Sequence, residues 1–100
     1  MEYSFAINLS PFLNEAYNKV TVHPNPAEFY TTFTYELQPD VKSSILQISD
    51  VKGTVILYTP LSGNIGHYLW DTRKAPSGVY VYAIFSNGKK LNDGKIVVKK

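Results

Sequence analysis

The sequence predicts a single all-β domain, and three observations carry that expectation. From Lys19 onward, apolar residues recur at every second position, the period of a strand with one buried face. Turn signals break these runs at the ~8–12-residue spacing of an all-β sandwich. Eight Tyr and five Phe in 100 residues suit a half-buried pleated surface. A chain of this length supports one modest core.

The elements follow in order. Residues 1–18 read as a linker or the tail of something upstream, in which Ser10-Pro11 could cap a short helix through Phe12, Leu13, Ala16 and Tyr17. Lys19 to His23 is a short β-rich run stopped by Pro24-Asn25-Pro26, where two prolines fix φ and remove ladder donors. Phe29, Thr31, Phe33, Tyr35 and Leu37 then alternate with polar neighbours as a long strand. After Pro39-Asp40, Leu46 and Ile48 mark the next strand. Asp50-Val51-Lys52-Gly53 is a tight hairpin turn, with Gly53 suited to positive φ. Val55 to Tyr58 returns, and residues 60–66 are expected as a loop. His67 to Asp71 is a strand ended by Ala75-Pro76-Ser77-Gly78. Val79 to Ser86 alternates cleanly up to Asn87-Gly88, the strongest short hairpin signal. The last strand is expected to bulge at Asn92-Asp93-Gly94 and to resume as Lys95-Ile96-Val97-Val98-Lys99-Lys100. No helical run separates these strands, so the expected architecture is an immunoglobulin-like antiparallel β-sandwich of about seven strands.

Composition narrows the chemistry. Charged residues are 18% of the chain and hydrophobic ones 44%, which argues against disorder. No apolar run reaches the ~20 residues of a membrane-spanning helix. Cysteine is absent, which removes disulfides and thiolate zinc sites. His23 and His67 fall on different strands without further ligands at metal spacing, so no metal or cofactor is expected. No Gly-x-Ser-x-Gly elbow is present, and Gly63 and Gly66 precede no helix that could hold a phosphate. Asp40, Asp50, Asp71 and Asp93 sit at turns or strand ends, where short carboxylates cap backbone N–H groups. An enzyme is not expected.

Two features leave more than one reading. Tyr80, Tyr82 and Trp70 could stack on sugar rings, but strict strand period favours core packing, with Trp70 anchored between two sheets. Residues 89–100 hold five lysines against Asp93, or +4, while the other 88 residues total −2. Edge lysines discourage aggregation, the cheapest explanation. Binding to nucleic acid is weakly supported and is not expected. A lysine-flanked terminal strand could also be an address read by strand addition and charge.

Five ordered motifs carry a resemblance. They are Val22-His23-Pro24-Asn25-Pro26-Ala27, Asp50-Val51-Lys52-Gly53, Trp70-Asp71-Thr72-Arg73, Ser77-Gly78-Val79-Tyr80-Val81-Tyr82, and Gly94-Lys95-Ile96-Val97-Val98-Lys99. Over residues 19–100 their order and spacing resemble the C-terminal sorting domain (type A) of cargo proteins of the bacterial type IX, or Por, secretion system.

The resemblance implies an immunoglobulin-like domain that acts as an export label. It implies a covalently attached N-terminal cargo that crosses the inner membrane on its own signal. Recognition in the periplasm by the outer-membrane translocon would follow, then removal by a sortase at the cell surface. Carried over, Gly78, Tyr80, Gly94 and Lys95, Ile96, Val97, Val98, Lys99 and Lys100 would be tied most closely to recognition. Pro24, Asn25, Pro26, Asp50, Gly53, Trp70 and Asp71 would be structural motif residues. The sequence departs from the family at His23, where tyrosine is commoner, at Lys52, which precedes rather than follows the glycine, and at Ala83, often arginine. On this reading the chain is a piece of a longer exported protein, with Met1 supplied for expression. A first strand at a sheet edge could also exchange between two copies in a strand-swapped homodimer. The alternative is a fibronectin-like or carbohydrate-binding accessory module, or a structural one, since flagellar hook-capping Ig-like domains share the Trp70-Asp71 and Ser77-to-Tyr80 pattern.

Overall fold

The computed structural model describes residues 18–100. Seven strands form two antiparallel sheets: β1 (Lys19–His23), β2 (Tyr30–Glu36), β3 (Ser44–Asp50), β4 (Val55–Leu61), β5 (Ile65–Asp71), β6 (Gly78–Ser86) and β7 (Lys89–Val98). The three-stranded sheet runs β1-β2-β5 and the four-stranded sheet β4-β3-β6-β7. The expected all-β sandwich of seven strands is therefore the observed fold. β4 stays beside β3 instead of joining β5, one of the topologies that immunoglobulin-like sandwiches adopt. The expected helix at residues 11–17 lies outside the described residues.

Alternation decides which side chains enter the core. On β2, Thr31, Phe33 and Tyr35 are buried while Thr34 and Glu36 face out. On β3, Leu46 and Ile48 are buried, and on β6, Tyr80, Tyr82 and Ile84. Aromatics join the layers: Phe33 meets Tyr82 edge-on at 5.3 Å, and Trp70 meets Tyr80 at 5.5 Å. Each such pair contributes about 0.5–1.5 kcal/mol beyond the area it buries. Trp70, Tyr80 and Tyr82 are core residues, which removes them as a sugar-stacking platform.

Each sheet also contains a tyrosine laid across a glycine. Tyr35 pairs with Gly66 across β2 and β5, and Tyr82 with Gly94 across β6 and β7. A Cβ on Gly94 would stand 2.6 Å from Tyr82 Cε2, and one on Gly66 2.8 Å from the Tyr35 hydroxyl. The rings cover strand backbone that a side chain would otherwise occupy. Both hydroxyls are tied down, Tyr35 donating to Ser62 O at 2.7 Å and Tyr82 to Asn92 Oδ1 at 3.0 Å.

The structure corrects the sequence reading at three places. Pro60 and Leu61 continue β4, so the expected 60–66 loop shrinks to Ser62, Gly63 and Asn64. Proline is tolerated because β4 is an edge strand. Phe29 lies outside β2 and is 61% exposed, so the alternating face begins at Thr31. The irregularity in β7 sits one residue earlier than expected: Ile84 pairs with Asn92 and Phe85 with Lys90, leaving Leu91 as the extra residue. The two hairpin turns are as expected. Gly53 has φ 90°, and Asn87 and Gly88 have φ 54° and 78°, the type I′ geometry.

Gly94→Ala should destabilise the domain by about 1–3 kcal/mol, because the Tyr82 ring is pinned between Phe33 and Asn92 and cannot yield. Thermal unfolding should register a fall of at least ~4 °C, and an unchanged midpoint would refute the close packing. Burial raises Tyr35, Tyr80 and Tyr82 above their ordinary value, with the Asp93 charge adding to the effect on Tyr82 and the Asp50 charge on Tyr80. The unfolded chain therefore loses tyrosine protons first, and stability present below pH ~10 should decline above it. Tyr82→Phe should flatten that decline in a series of melts taken across the alkaline range.

Candidate functional site

The terminal strand divides by parity. Ile96 and Val98 are essentially fully buried, while Lys95, Val97 and Lys99 face outward. Burying two aliphatic side chains contributes about 1.5–3 kcal/mol each, a large share of a typical ~5–15 kcal/mol stability. The strand is a structural member of the sandwich and not an appendage to it.

Its outer edge is closed by the turn between β1 and β2. The Asn25 carboxamide faces β7 as a peptide group would: Oδ1 accepts from Val97 N at 2.9 Å and Nδ2 donates to Lys95 O at 3.2 Å. Ala27 N then donates to Val97 O at 2.7 Å, and Lys99 N donates to Ala27 O at 2.8 Å, forming a parallel bridge. Asparagine suits this place because its side chain carries one donor and one acceptor in a plane. Pro24 and Pro26 both follow cis peptide bonds. Pro24 O accepts from Thr31 Oγ1 at 2.7 Å, so the same turn is fastened to β2. The segment thereby links the two sheets.

The other motifs assemble around it. Asp50 Oδ1 accepts from Lys52 N and Thr54 N, each at 2.9 Å, and holds the β3–β4 turn. Asp50 is also paired with Tyr80 across β3 and β6. Trp70 packs on Tyr80, whose hydroxyl donates to Pro76 O. Asp71 forms an exposed fork with Arg73, Nη2 to Oδ2 at 2.6 Å. Hydrogen bonds from the Arg73 side chain and backbone hold the Asp71 carboxyl down at about 2. Lys100 reaches back across the β5–β6 connection, its Nζ donating to Thr72 O and Arg73 O at 2.9 Å each, and its N to Ser77 Oγ at 3.1 Å. Gly78 pairs with Val98, and a Cβ there would meet open space. The five sequence motifs, far apart in the chain, thus converge on one end of the sandwich.

The lysine cluster separates into different roles. Lys90 pairs with Asp93 at 2.8 Å, and Lys100 is committed to backbone carbonyls. Lys95 and Lys99 project from β7 with no ion pair to any described residue. Ala27 and Thr72 stand in two of the sequence motifs without an assigned role: Ala27 is buried at 1% where it completes the bridge, and Thr72 is fully buried with its N donating to Phe29 O. A small residue directly after Pro-Asn-Pro was the available signal for the first. Thr72 left none, because its contacts are with a segment 43 residues away. Among the described residues, no three His, Asp or Glu side chains gather as a metal site.

This architecture defines a class: an immunoglobulin-like β-sandwich whose terminal strand is both core and surface, carrying its motif residues at one end. The family described as the secretion system C-terminal sorting domain matches residues 21–99. The chain belongs to that family, and it carries a sorting signal for type IX secretion. Among solved structures it is similar to dimeric latent PorU from Porphyromonas gingivalis, with TM-score 0.59 and 22% identity. That likeness, which concerns the fold, covers 79% of this chain and 9% of the PorU chain. A comparison with curated proteins finds no match.

Asn25→Ala should remove two edge bonds and cost about 1–2 kcal/mol. Amide exchange should quicken at Val97 and Lys99, whose N–H groups point to this edge, while those of Ile96 and Val98, which point towards β6, stay protected. Equal protection at all four amides in the variant would show that Asn25 does not hold this edge.

Proposed function

We propose that the domain acts by binding and not by catalysis, as the address that takes an N-terminally attached cargo through the outer membrane. In this reading the cargo reaches the periplasm on its own signal. The outer-membrane translocon then recognises the folded domain, and a sortase detaches it at the surface. The observation that carries the proposal is the family match running through the basic terminal strand, at the end where the five motifs meet. It is supported by the commitment of Trp70, Tyr80 and Tyr82 to the core, which counts against the accessory-module alternative. A strand-exchanged dimer through β1 is not part of the proposal. Asn18, directly before β1, accepts from Gln38 N at 3.1 Å and from Asn92 Nδ2 at 2.7 Å, bonds that an exchange of β1 would remake between two copies.

A periplasmic reporter joined upstream of the 100-residue chain should appear on the surface of a type IX-competent bacterium, and the reporter alone should stay in the periplasm. Mass spectrometry of the delivered reporter should find the domain removed. Retention of the intact fusion in the periplasm would overturn the sorting role, and delivery with the domain still attached would overturn sortase removal.

A further inference from the structure

We propose that the address is read on the outer face of β6 and β7, by a protein surface with an apolar centre and an acidic margin. This rests on the sorting role and names the surface that performs it.

Strand addition along the terminal motif is closed. The four outward backbone groups, Lys95 O, Val97 N, Val97 O and Lys99 N, are already bonded to Asn25 and Ala27. Ile96 and Val98 face the core. What a partner can touch is the outward row Lys95, Val97 and Lys99, with Val81 directly opposite Lys95 and Val79 opposite Val97 on β6. All three valines are exposed. On β4, at the far side of the same sheet, Tyr58 is 63% exposed and extends the apolar surface.

The other sheet contrasts with this one. The difference is one of charge and not of polarity: its outward residues include exposed Tyr30, Ile65 and Leu69 among Thr32, Thr34, Glu36, His67 and Asp71, so carboxylates stand within its apolar surface. On the β6–β7 face the single carboxylate, Asp93, is spent on Lys90. Lys95 and Lys99 therefore stand roughly 13 Å apart along the strand, flanking Val97 with no local counter-charge. Charge complementarity selects a partner with carboxylates at that spacing around an apolar strip. A lipid surface fits less well, because interfacial binding uses protruding Trp, Phe or Leu, and β6 and β7 present short valines flush with the sheet. The outward face of β6 and β7, roughly 300 Å², lies below a standard permanent interface and suits a contact made and released in transit.

The test uses the reporter fusion with four variants. Lys95→Glu/Lys99→Glu and Val81→Asp should each cut surface delivery about tenfold or more while the thermal midpoint of the purified chain stays near that of the parent. Lys95→Arg/Lys99→Arg should restore delivery, and Leu69→Asp on the opposite sheet should leave it intact. If the parent fusion is delivered and the Glu and Asp variants are delivered equally well, the surface is wrong and the sorting role stands. If the parent fusion is not delivered, the sorting role itself fails. Binding of the purified chain to phosphatidylglycerol vesicles, lost in the Lys95→Glu/Lys99→Glu variant, would overturn a protein partner in favour of a lipid one.

Discussion

The structure depends on a side-chain amide that stands in for a missing strand. A sandwich has four sheet edges, here β1, β5, β4 and β7, each a template for unwanted pairing unless it is covered. Asn25 and Ala27 close the β7 edge with four hydrogen bonds. The closing segment belongs to the other sheet, through the β1–β2 connection and the bond from Thr31 to Pro24. Closing the edge and joining the layers are therefore one event. The prolines on either side lack N–H groups, and the donors this turn presents to β7 are the Asn25 side-chain Nδ2 and Ala27 N.

Inside that frame, β6 is the organiser. It pairs with β3 on one side and β7 on the other, and its inward tyrosines reach the opposite layer through Phe33 and Trp70. Tyr82 needs Gly94 beneath it, so the glycine of the terminal motif is set by a residue twelve positions earlier. The tyrosines of β6, the tryptophan of β5 and the glycine of β7 are parts of one packing arrangement. Their order along this chain has a physical cause in that arrangement.

Period-two alternation made most of the fold legible, because one-sided burial writes itself into sequence. The tight turns were legible for a different reason: Gly53 and Asn87-Gly88 hold positive φ that few residues tolerate. Other features depended on which strands meet and in what register. Pro60 looked like a strand stop because its place on an outer strand is a fact of topology. The extra residue at Leu91 is set by pairing with β6, and Asn92-Asp93-Gly94, though turn-like in composition, continues the strand. The lysines looked alike in sequence. Only their neighbours separate Lys90 and Lys100, which are engaged, from Lys95 and Lys99, which are not. Contacts such as Thr72 with the Glu28–Phe29 backbone join distant segments and leave no local trace.

The parity of the last strand bears on how an address can be trustworthy. Ile96 and Val98 are core residues, and Lys95, Val97 and Lys99 are surface residues of the same five-residue stretch. Neither set can be positioned without the other: the lysines face outward together only when the aliphatic pair is buried and the register with Gly78, Val79 and Val81 is correct. A truncated or unfolded chain would carry the same letters without presenting the same face. Under the proposal, a signal carried by a core strand has its display coupled to completion of the fold. A flexible basic tail of equal charge would lack that coupling, because charge alone survives unfolding and register does not.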